Sequence, residues 1–198
     1  MSRCSLAAQR ALILLAFSCF SVVSAAETTE QRQLLDAISA QMVISERIAG
    51  DFTQRKYIRV LPQPLRSEGT FSFDRKAGLE WRVTAPLQSR LVFDGEGMHQ
   101  EQGGKRVWEA SDAQPAIATL GRVMRAVLSV DWPVLEDYFF ITGSRDNEQW
   151  SLALEPKQAL LKNMVENIAL GGGRHLQTMT LYEASGDRTE VIFRVREP

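Results

Sequence analysis

Hydrophobic residues recur at two different spacings along this chain. From Thr29 to about Ile48 they recur every three or four residues, which predicts an amphipathic helix that ends at Gly50. From there to about Glu109 hydrophobic and polar residues alternate, as is typical of half-buried strands. We therefore predict an opening helix followed by antiparallel strands that are joined by hairpin turns.

The alternation is interrupted between Asp112 and Val130. The apolar residues of this stretch recur at helical spacing, opposite polar ones; they are Ile117, Leu120, Met124, Val127 and Leu128. This spacing predicts an amphipathic helix that is inserted into the sheet. Strands resume from Tyr138 to Val195. In total we predict one α+β domain with ten or eleven strands and two main helices.

A single antiparallel sheet of that length must curl, because the twist of its strands accumulates. A strongly curved sheet has a concave apolar face that requires a cover, and the inserted helix is the natural candidate. The periodicity leaves two interpretations open. Either an ordinary solid core fills the concave face, or that face encloses a cavity.

Residues 1–26 have the features of a secretory signal peptide. Two arginines precede an apolar run of thirteen residues, 11–23, and small residues follow it. Thirteen apolar residues are too few for a membrane-spanning helix, which needs about 20. We predict cleavage after Ala25 or Ala26 and a mature domain of residues 27–198.

The composition narrows the possible chemistry. Lys and Arg number 23 against 24 Asp and Glu, a net charge of -1, which argues against nucleic acid as a partner. Both cysteines, Cys4 and Cys19, lie in the predicted signal, and His99 and His175 cannot form a zinc cluster alone. We expect these histidines at the surface or at a sheet edge. No catalytic motif is present, so we predict neither an enzyme, a metal site nor a cofactor.

Several short motifs follow one another in the first half of the chain. They are Gly50-Asp51-Phe52-Thr53-Gln54, Glu68-Gly69-Thr70-Phe71, Arg75, Glu80-Trp81, Pro86 and Leu91-Val92-Phe93-Asp94-Gly95. In order and spacing they resemble the LolA family of periplasmic lipoprotein carriers. The resemblance implies an unclosed β-barrel with a helical lid over a hydrophobic cavity that holds acyl chains.

The resemblance also implies roles for individual residues. Arg75 matches the family arginine that latches the lid by hydrogen bonds, Leu79 matches an apolar residue at the cavity mouth, and Trp81 would line the cavity. The complete implied lining is Phe71, Phe73, Leu79, Trp81, Val83, Leu91, Phe93, Trp150 and Leu152. The inserted helix, with the five apolar residues named above, would be the lid.

The implied partners are an acylated lipoprotein or lipid as cargo, an inner-membrane exporter and an outer-membrane acceptor, with the carrier a periplasmic monomer. Two positions depart from the family pattern: Lys76 replaces a proline, and the chain stops at Pro198, where carriers continue for about another strand and an extension. Shorter paralogues resemble accessory proteins of lipid or polyene-ester export systems. That role and a lipid-sensing assembly factor without shuttle activity remain the alternatives.

Overall fold

The computed structural model describes residues 21–43, 45–94, 97–109, 122–123 and 125–196. The helices are α1 (Ser21–Gln41), α2 (residues 125–129, with 122–123 also helical), α3 (Trp132–Tyr138) and α4 (Ala159–Lys162). The strands are β1 (Arg47–Tyr57), β2 (Leu65–Asp74), β3 (Gly78–Ala85), β4 (Ser89–Asp94), β5 (Gly97–Gln102), β6 (Lys105–Glu109), β7 (Phe139–Asp146), β8 (Gln149–Pro156), β9 (Val165–Gly172), β10 (Leu176–Glu183) and β11 (Arg188–Val195).

All the described strands belong to one antiparallel sheet. Its order is β6-β5-β4-β3-β2-β1-β11-β10-β9-β8-β7, so the first and last strands of the chain pair in the middle. In the described residues β6 and β7 form the two edges, and the sheet is not closed. The prediction of one long, unclosed antiparallel sheet with few helices is confirmed.

The predicted boundary between the first helix and the first strand was wrong. Helix α1 ends at Gln41, and β1 has already begun at Arg47, so Ile48 belongs to the strand. Gly50 lies inside β1, where a Cβ atom would come 2.2 Å from the carbonyl oxygen of Arg194 on β11. This glycine is therefore needed for the close approach of two strands, and it does not end a helix.

The hydrophobic core lies on one face of the sheet, which we call the inner face. The register places Phe52 opposite Gly69 and Phe193, and Phe71 opposite Trp81, so these side chains point to the same side. The helices cover this face with buried apolar residues: Leu35 and Ile38 of α1, Val127 and Leu128 of α2, and Trp132 and Leu135 of α3. Burying each large apolar side chain contributes about 1.5–3 kcal/mol.

The two histidines differ in environment. His175 is half-buried in the turn before β10. His99 is only 6% exposed, on the face of β5 opposite to the inner face, with its Nε2 3.5 Å from Glu101 Oε1. The expectation of a surface or edge position was wrong for His99. Strand β5 is internal because β6 pairs beyond it, and His99 lies between Val92 of β4 and Glu109 of β6, which are directly opposite it in the register. In the described ranges no three His, Cys, Asp or Glu side chains come together as a metal-binding group.

Candidate functional site

An aromatic cluster forms the centre of the inner face. The rings of Phe52 and Trp81 stack with centroids 3.9 Å apart, and Phe193 meets Phe71 edge-on at 5.4 Å and Trp81 at 5.9 Å. Cross-strand pairing of β1, β2, β3 and β11 brings the rings together, and such contacts add to the stability from burial alone. Sequence reasoning included Phe71 and Trp81 but missed Phe52 and Phe193. The alternation of hydrophobic and polar residues in β1 and β11 could have identified both, because Phe52 and Phe193 occupy buried positions in it.

The second half of the inner face is built by β8 and β9. Trp150 is buried there, and its indole Nε1 donates a 2.8 Å hydrogen bond to the carbonyl of Gly173. This bond satisfies the polar end of a ring that is otherwise among apolar neighbours. The structure thus places Trp150 and Leu152 on the same face as the aromatic cluster.

The predicted lining residues are all on the inner face, but their exposures differ. The buried members are Phe71, Phe73, Leu79, Phe93, Trp150 and Leu152, and the half-buried ones are Trp81, Val83 and Leu91. Leu79, which was expected at a cavity mouth, is 1% exposed. Contact of these residues with cargo stays a prediction.

Helices α1, α2 and α3 form a cover over the inner face. Polar contacts between α1 and α3 hold this cover together. The indole Nε1 of Trp132 on α3 donates a 2.6 Å hydrogen bond to Ser39 Oγ on α1, and Gln31 Nε2 donates to Glu136 Oε1 at 3.3 Å. Of the predicted lid residues, Val127 and Leu128 are buried against the sheet. The others, Ile117, Leu120 and Met124, lie outside the described residues.

An apolar cavity remains between the cover and the sheet. Its volume is about 20 Å³, and it is lined by Met42, Val43, Ile48, Phe71, Leu128, Val130, His175, Leu176, Phe193 and Val195. A single water molecule needs a cavity of similar size. Around this cavity the protein's own side chains fill the space between the cover and the sheet, and the cavity itself is too small to hold an acyl chain.

Arg75 lies in the tight turn between β2 and β3. Oδ1 of Asp74 accepts hydrogen bonds from the backbone N–H groups of Lys76 and Ala77 at 2.8 and 2.9 Å, and Oδ2 accepts one from Arg47 Nε at 2.7 Å. These hydrogen bonds lower the pKa of Asp74 to about 2. The largest contribution comes from the Ala77 N–H, followed by Arg47 and then by the Lys76 N–H. The turn thereby has a fixed shape.

The turn directs Arg75 towards the segment between α1 and β1. Its backbone N–H donates to the Glu46 carbonyl at 3.0 Å, and its side-chain Nε lies 3.6 Å from Glu46 Oε1. The Arg75 side chain is 46% exposed. The lid latch assigned to Arg75 would involve residues 110–121, which lie outside the described ranges, and the latch stays a prediction.

The opposite face of the sheet carries an ionic network across β3, β4 and β5. Arg90 donates to Glu80 at 2.7 Å and to Glu101 at 2.8 Å, and Arg82 also donates to Glu80 at 2.7 Å. The hydrogen bond from Arg90 is the main cause that lowers the pKa of Glu80 and of Glu101. Arg82 and Arg90 are directly opposite in the register, so their positive charges repel each other. Glu80 offsets this repulsion because its carboxylate accepts hydrogen bonds from both arginines. This network stabilises strand pairing and does not reach the inner face.

No helix in the described ranges is long and apolar enough to cross a membrane. A curated protein of Methylococcus capsulatus, described as outer-membrane lipoprotein carrier protein, is 26% identical over 192 residues, which cover 93% of this chain and 85% of the relative.

The solved structures that are similar to this chain include three proteins of low sequence identity. A LolA superfamily protein of Nitrosomonas europaea gives a TM-score of 0.46 at 6% identity, covering 84% of this chain and 93% of the other. A putative outer membrane lipoprotein-sorting protein domain of Vibrio parahaemolyticus gives 0.43 at 8% identity, covering 83% and 90%. LprF of Mycobacterium bovis gives 0.33 at 9% identity, covering 84% and 92%.

The sequence also matches a protein family over most of its length. Residues 44–197 match the family described as outer membrane lipoprotein carrier protein LolA. The matched region runs from just before β1 to the end of β11 and includes the whole described sheet. Because this match covers well over half of the chain, the protein belongs to the LolA family.

Proposed function

We propose that this protein is a periplasmic carrier that shields the acyl chains of a lipoprotein against the inner face of its sheet. The observation that carries the proposal is the continuous apolar inner face, which helices cover. LolA family membership supports a lipoprotein carrier role in general, and the proteins of this family are periplasmic carriers, not enzymes. The cargo would be received from an inner-membrane exporter and passed to an outer-membrane acceptor.

The energetics of the acyl chain fit this proposal. Burying one methylene contributes about 0.8 kcal/mol, so a chain of roughly fourteen carbons gains on the order of 11 kcal/mol by leaving water. The cavity of about 20 Å³ between the cover and the sheet cannot hold such a chain. In this proposal the helical cover moves away from that part of the sheet, so that the acyl chain replaces the apolar side chains of the cover on the inner face.

The proposed cargo surface can be tested with neighbouring residues on one strand. Leu91 and Val92 are both half-buried in β4, but Leu91 faces the inner side with Trp81, whereas Val92 lies opposite His99 on the other side. We expect L91S to weaken the binding of a fluorescent fatty acid and V92S to leave it near the wild-type value. Equal effects of the two substitutions would argue against the inner face as the cargo surface.

The Arg75 latch requires its own pair of variants. If Arg75 acts through the lid, R75L changes the retention of an acyl probe and E46Q does not, since Glu46 is a neighbour of Arg75 outside the lid. If both variants change retention equally, Arg75 acts by fixing the segment before β1 and not by latching the lid. If neither changes it, the latch role is wrong.

The identity of the cargo is best tested by native mass spectrometry of the protein as its own host processes it, followed by organic extraction. Acylated polypeptides in the extract would support a lipoprotein carrier. Free lipids or acyl esters would instead assign the same inner face to a lipid-export accessory protein. A ligand-free protein that also rejects apolar fluorescent probes would refute the carrier proposal.

A further inference from the structure

The connections between strands alternate between two ends of the sheet, because each strand is antiparallel to its neighbours. The β1–β2, β3–β4, β5–β6, β8–β9 and β10–β11 connections therefore lie at one end. The β5–β6 turn, residues 103–104, consists of two glycines. Arg75 and the small apolar cavity lie towards the opposite end. We call four of these connections, together with the first two residues of β2, the apolar end; it comprises residues 58–66, 86–88, 157–164 and 184–187.

Exposed hydrophobic side chains are concentrated at this end. Of the eleven large hydrophobic residues that are exposed in the described ranges, six belong to it: Val60, Leu61, Leu65, Leu87, Leu160 and Met164. Val60 is 82% exposed and Leu87 is 73% exposed, so these two side chains project almost entirely into solvent. The connections at the opposite end contribute only Val43 among the described residues.

The four connections form one continuous surface. The backbone N–H of Arg59 donates to Asp187 Oδ1 at 3.1 Å, which joins the β1–β2 connection to the β10–β11 turn. The backbone N–H of Ala184 donates to the carbonyl of Met164 at 3.0 Å and joins that turn to the segment after α4. Pro86 and Arg66 line a common groove of about 540 Å³, so the β3–β4 turn adjoins the same surface.

The charge of the apolar end is positive, although the chain as a whole has a net charge of -1. Its four segments contain the basic residues Arg59, Arg66, Lys157 and Lys162 and one acidic residue, Asp187. Apolar side chains combined with a basic rim match the interface of a bilayer that contains anionic lipids, where apolar groups enter the headgroup region and cations meet phosphate.

We infer that the apolar end is a contact surface for the anionic surface of a lipid bilayer. The apolar side chains project from separate connections and do not line an apolar groove, which suits a fluid interface better than a protein of fixed shape. This role goes beyond shielding of cargo. The inner face would hold acyl chains, whereas the apolar end would hold the protein at the membrane during loading or release.

The inference is tested by binding of the full chain, as cells process it, to vesicles of phosphatidylethanolamine and phosphatidylglycerol. We expect V60S/L87S to lower vesicle affinity by about tenfold, since it removes the two most exposed apolar side chains of the surface. The control is V107T, because Val107 is also exposed but lies within β6. All variants share the same N terminus, so any contribution of residues 1–26 is common to them.

Insertion is distinguished from simple adsorption by a local probe. The natural cysteines are Cys4 and Cys19, both in the predicted signal. A cysteine replacing Val60 or Leu87 can then carry an environment-sensitive dye, with Val107→Cys as the control. We expect a blue shift of the dye on vesicles at positions 60 and 87 and none at 107. We also expect R59S/R66S to weaken binding and its dependence on salt.

Several results would overturn the inference. They are the absence of vesicle binding by the wild type, equal binding by V60S/L87S and V107T, and binding only to vesicles that contain membrane proteins, which would assign the surface to a protein partner. We expect fatty-acid binding by V60S/L87S to equal that of the wild type, because Val60 and Leu87 lie outside the core. Loss of vesicle binding with intact fatty-acid binding therefore separates this inference from the carrier proposal.

Discussion

Replacing Leu128 with alanine tests whether the helical cover and an acyl cargo compete for the inner face. Leu128 is a predicted lid residue on α2, and it is 5% exposed. Together with Phe71 and Phe193 it lines the small apolar cavity. The substitution enlarges that cavity and removes contacts that exist only while the helix lies on the sheet.

The magnitude follows from the burial of Leu128. Truncation of a buried leucine to alanine destabilises a structure by about 2–5 kcal/mol. If cargo binds only after the cover opens, the apparent Kd equals the intrinsic Kd divided by the fraction of open molecules. Since about 1.4 kcal/mol corresponds to a factor of ten, L128A should tighten the binding of a fatty acid by at least about tenfold. The affinity increases no further once the open form predominates, because the apparent Kd then equals the intrinsic Kd.

The assay is a fluorescence titration with a fatty-acid probe, with near-ultraviolet circular dichroism as the test of folding. The control is S129A, because Ser129 Oγ donates a 2.9 Å hydrogen bond to the backbone carbonyl oxygen of Arg125 within the same helix. Affinity of L128A equal to that of the wild type, with the fold intact, would refute the competition. Weaker binding would show that Leu128 contacts the acyl chain as part of its binding surface.

Three further predictions concern the scaffold. G69A should lower the free energy of unfolding in urea by about 2 kcal/mol or more, because a Cβ atom would lie 1.9 Å from the Arg82 carbonyl oxygen, and an unchanged midpoint would contradict that reasoning. S39A should lower it by about 1–3 kcal/mol and shift the emission of Trp132, because the buried indole N–H loses its acceptor; unaltered emission would argue against this contact. Asp74 has its pKa lowered from 3.8 to about 2, so its stabilising contribution is complete above about pH 4 and is lost as the pH falls towards 2. In D74N the urea midpoint of unfolding should therefore fall less steeply with decreasing pH in the acid range than it does in the wild type. Equal slopes for the variant and the wild type would show that Asp74 contributes nothing there.

Side-chain alternation was sufficient to predict the strands and the face that they share. Phe71, Phe73, Leu79 and Trp81 have the same parity along their strands, and the register places all of them on the inner face. The interruption between Asp112 and Val130 likewise predicted a covering helix, of which residues 125–129 are described. These features depend on local periods that a sequence displays directly.

Features that depend on distant partners could not be predicted in this way. Ile48 fits the helical repeat of α1 and also the alternation of β1, so the period alone could not place the boundary. The function of Gly50 depends on Arg194, which is far away in sequence and adjacent in the sheet. Arg82 and Arg90 are typical of a solvated face until the register shows that Glu80 connects them.

The carrier proposal requires the stretch between β6 and β7 both to cover the inner face and to leave it, and the strand order is compatible with this requirement. β6 and β7 follow one another in the chain but form opposite edges of the sheet, so residues 110–138 must connect one edge to the other. In the described part of this connection, α2 and α3 lie on the inner face through buried side chains and occupy no place in the sheet order. Their displacement therefore leaves the pairing of the strands intact. If the cover opens as the carrier proposal requires, side-chain burial and the contact of Trp132 with Ser39 set the free energy of opening, which is why Leu128 is a decisive position for that proposal.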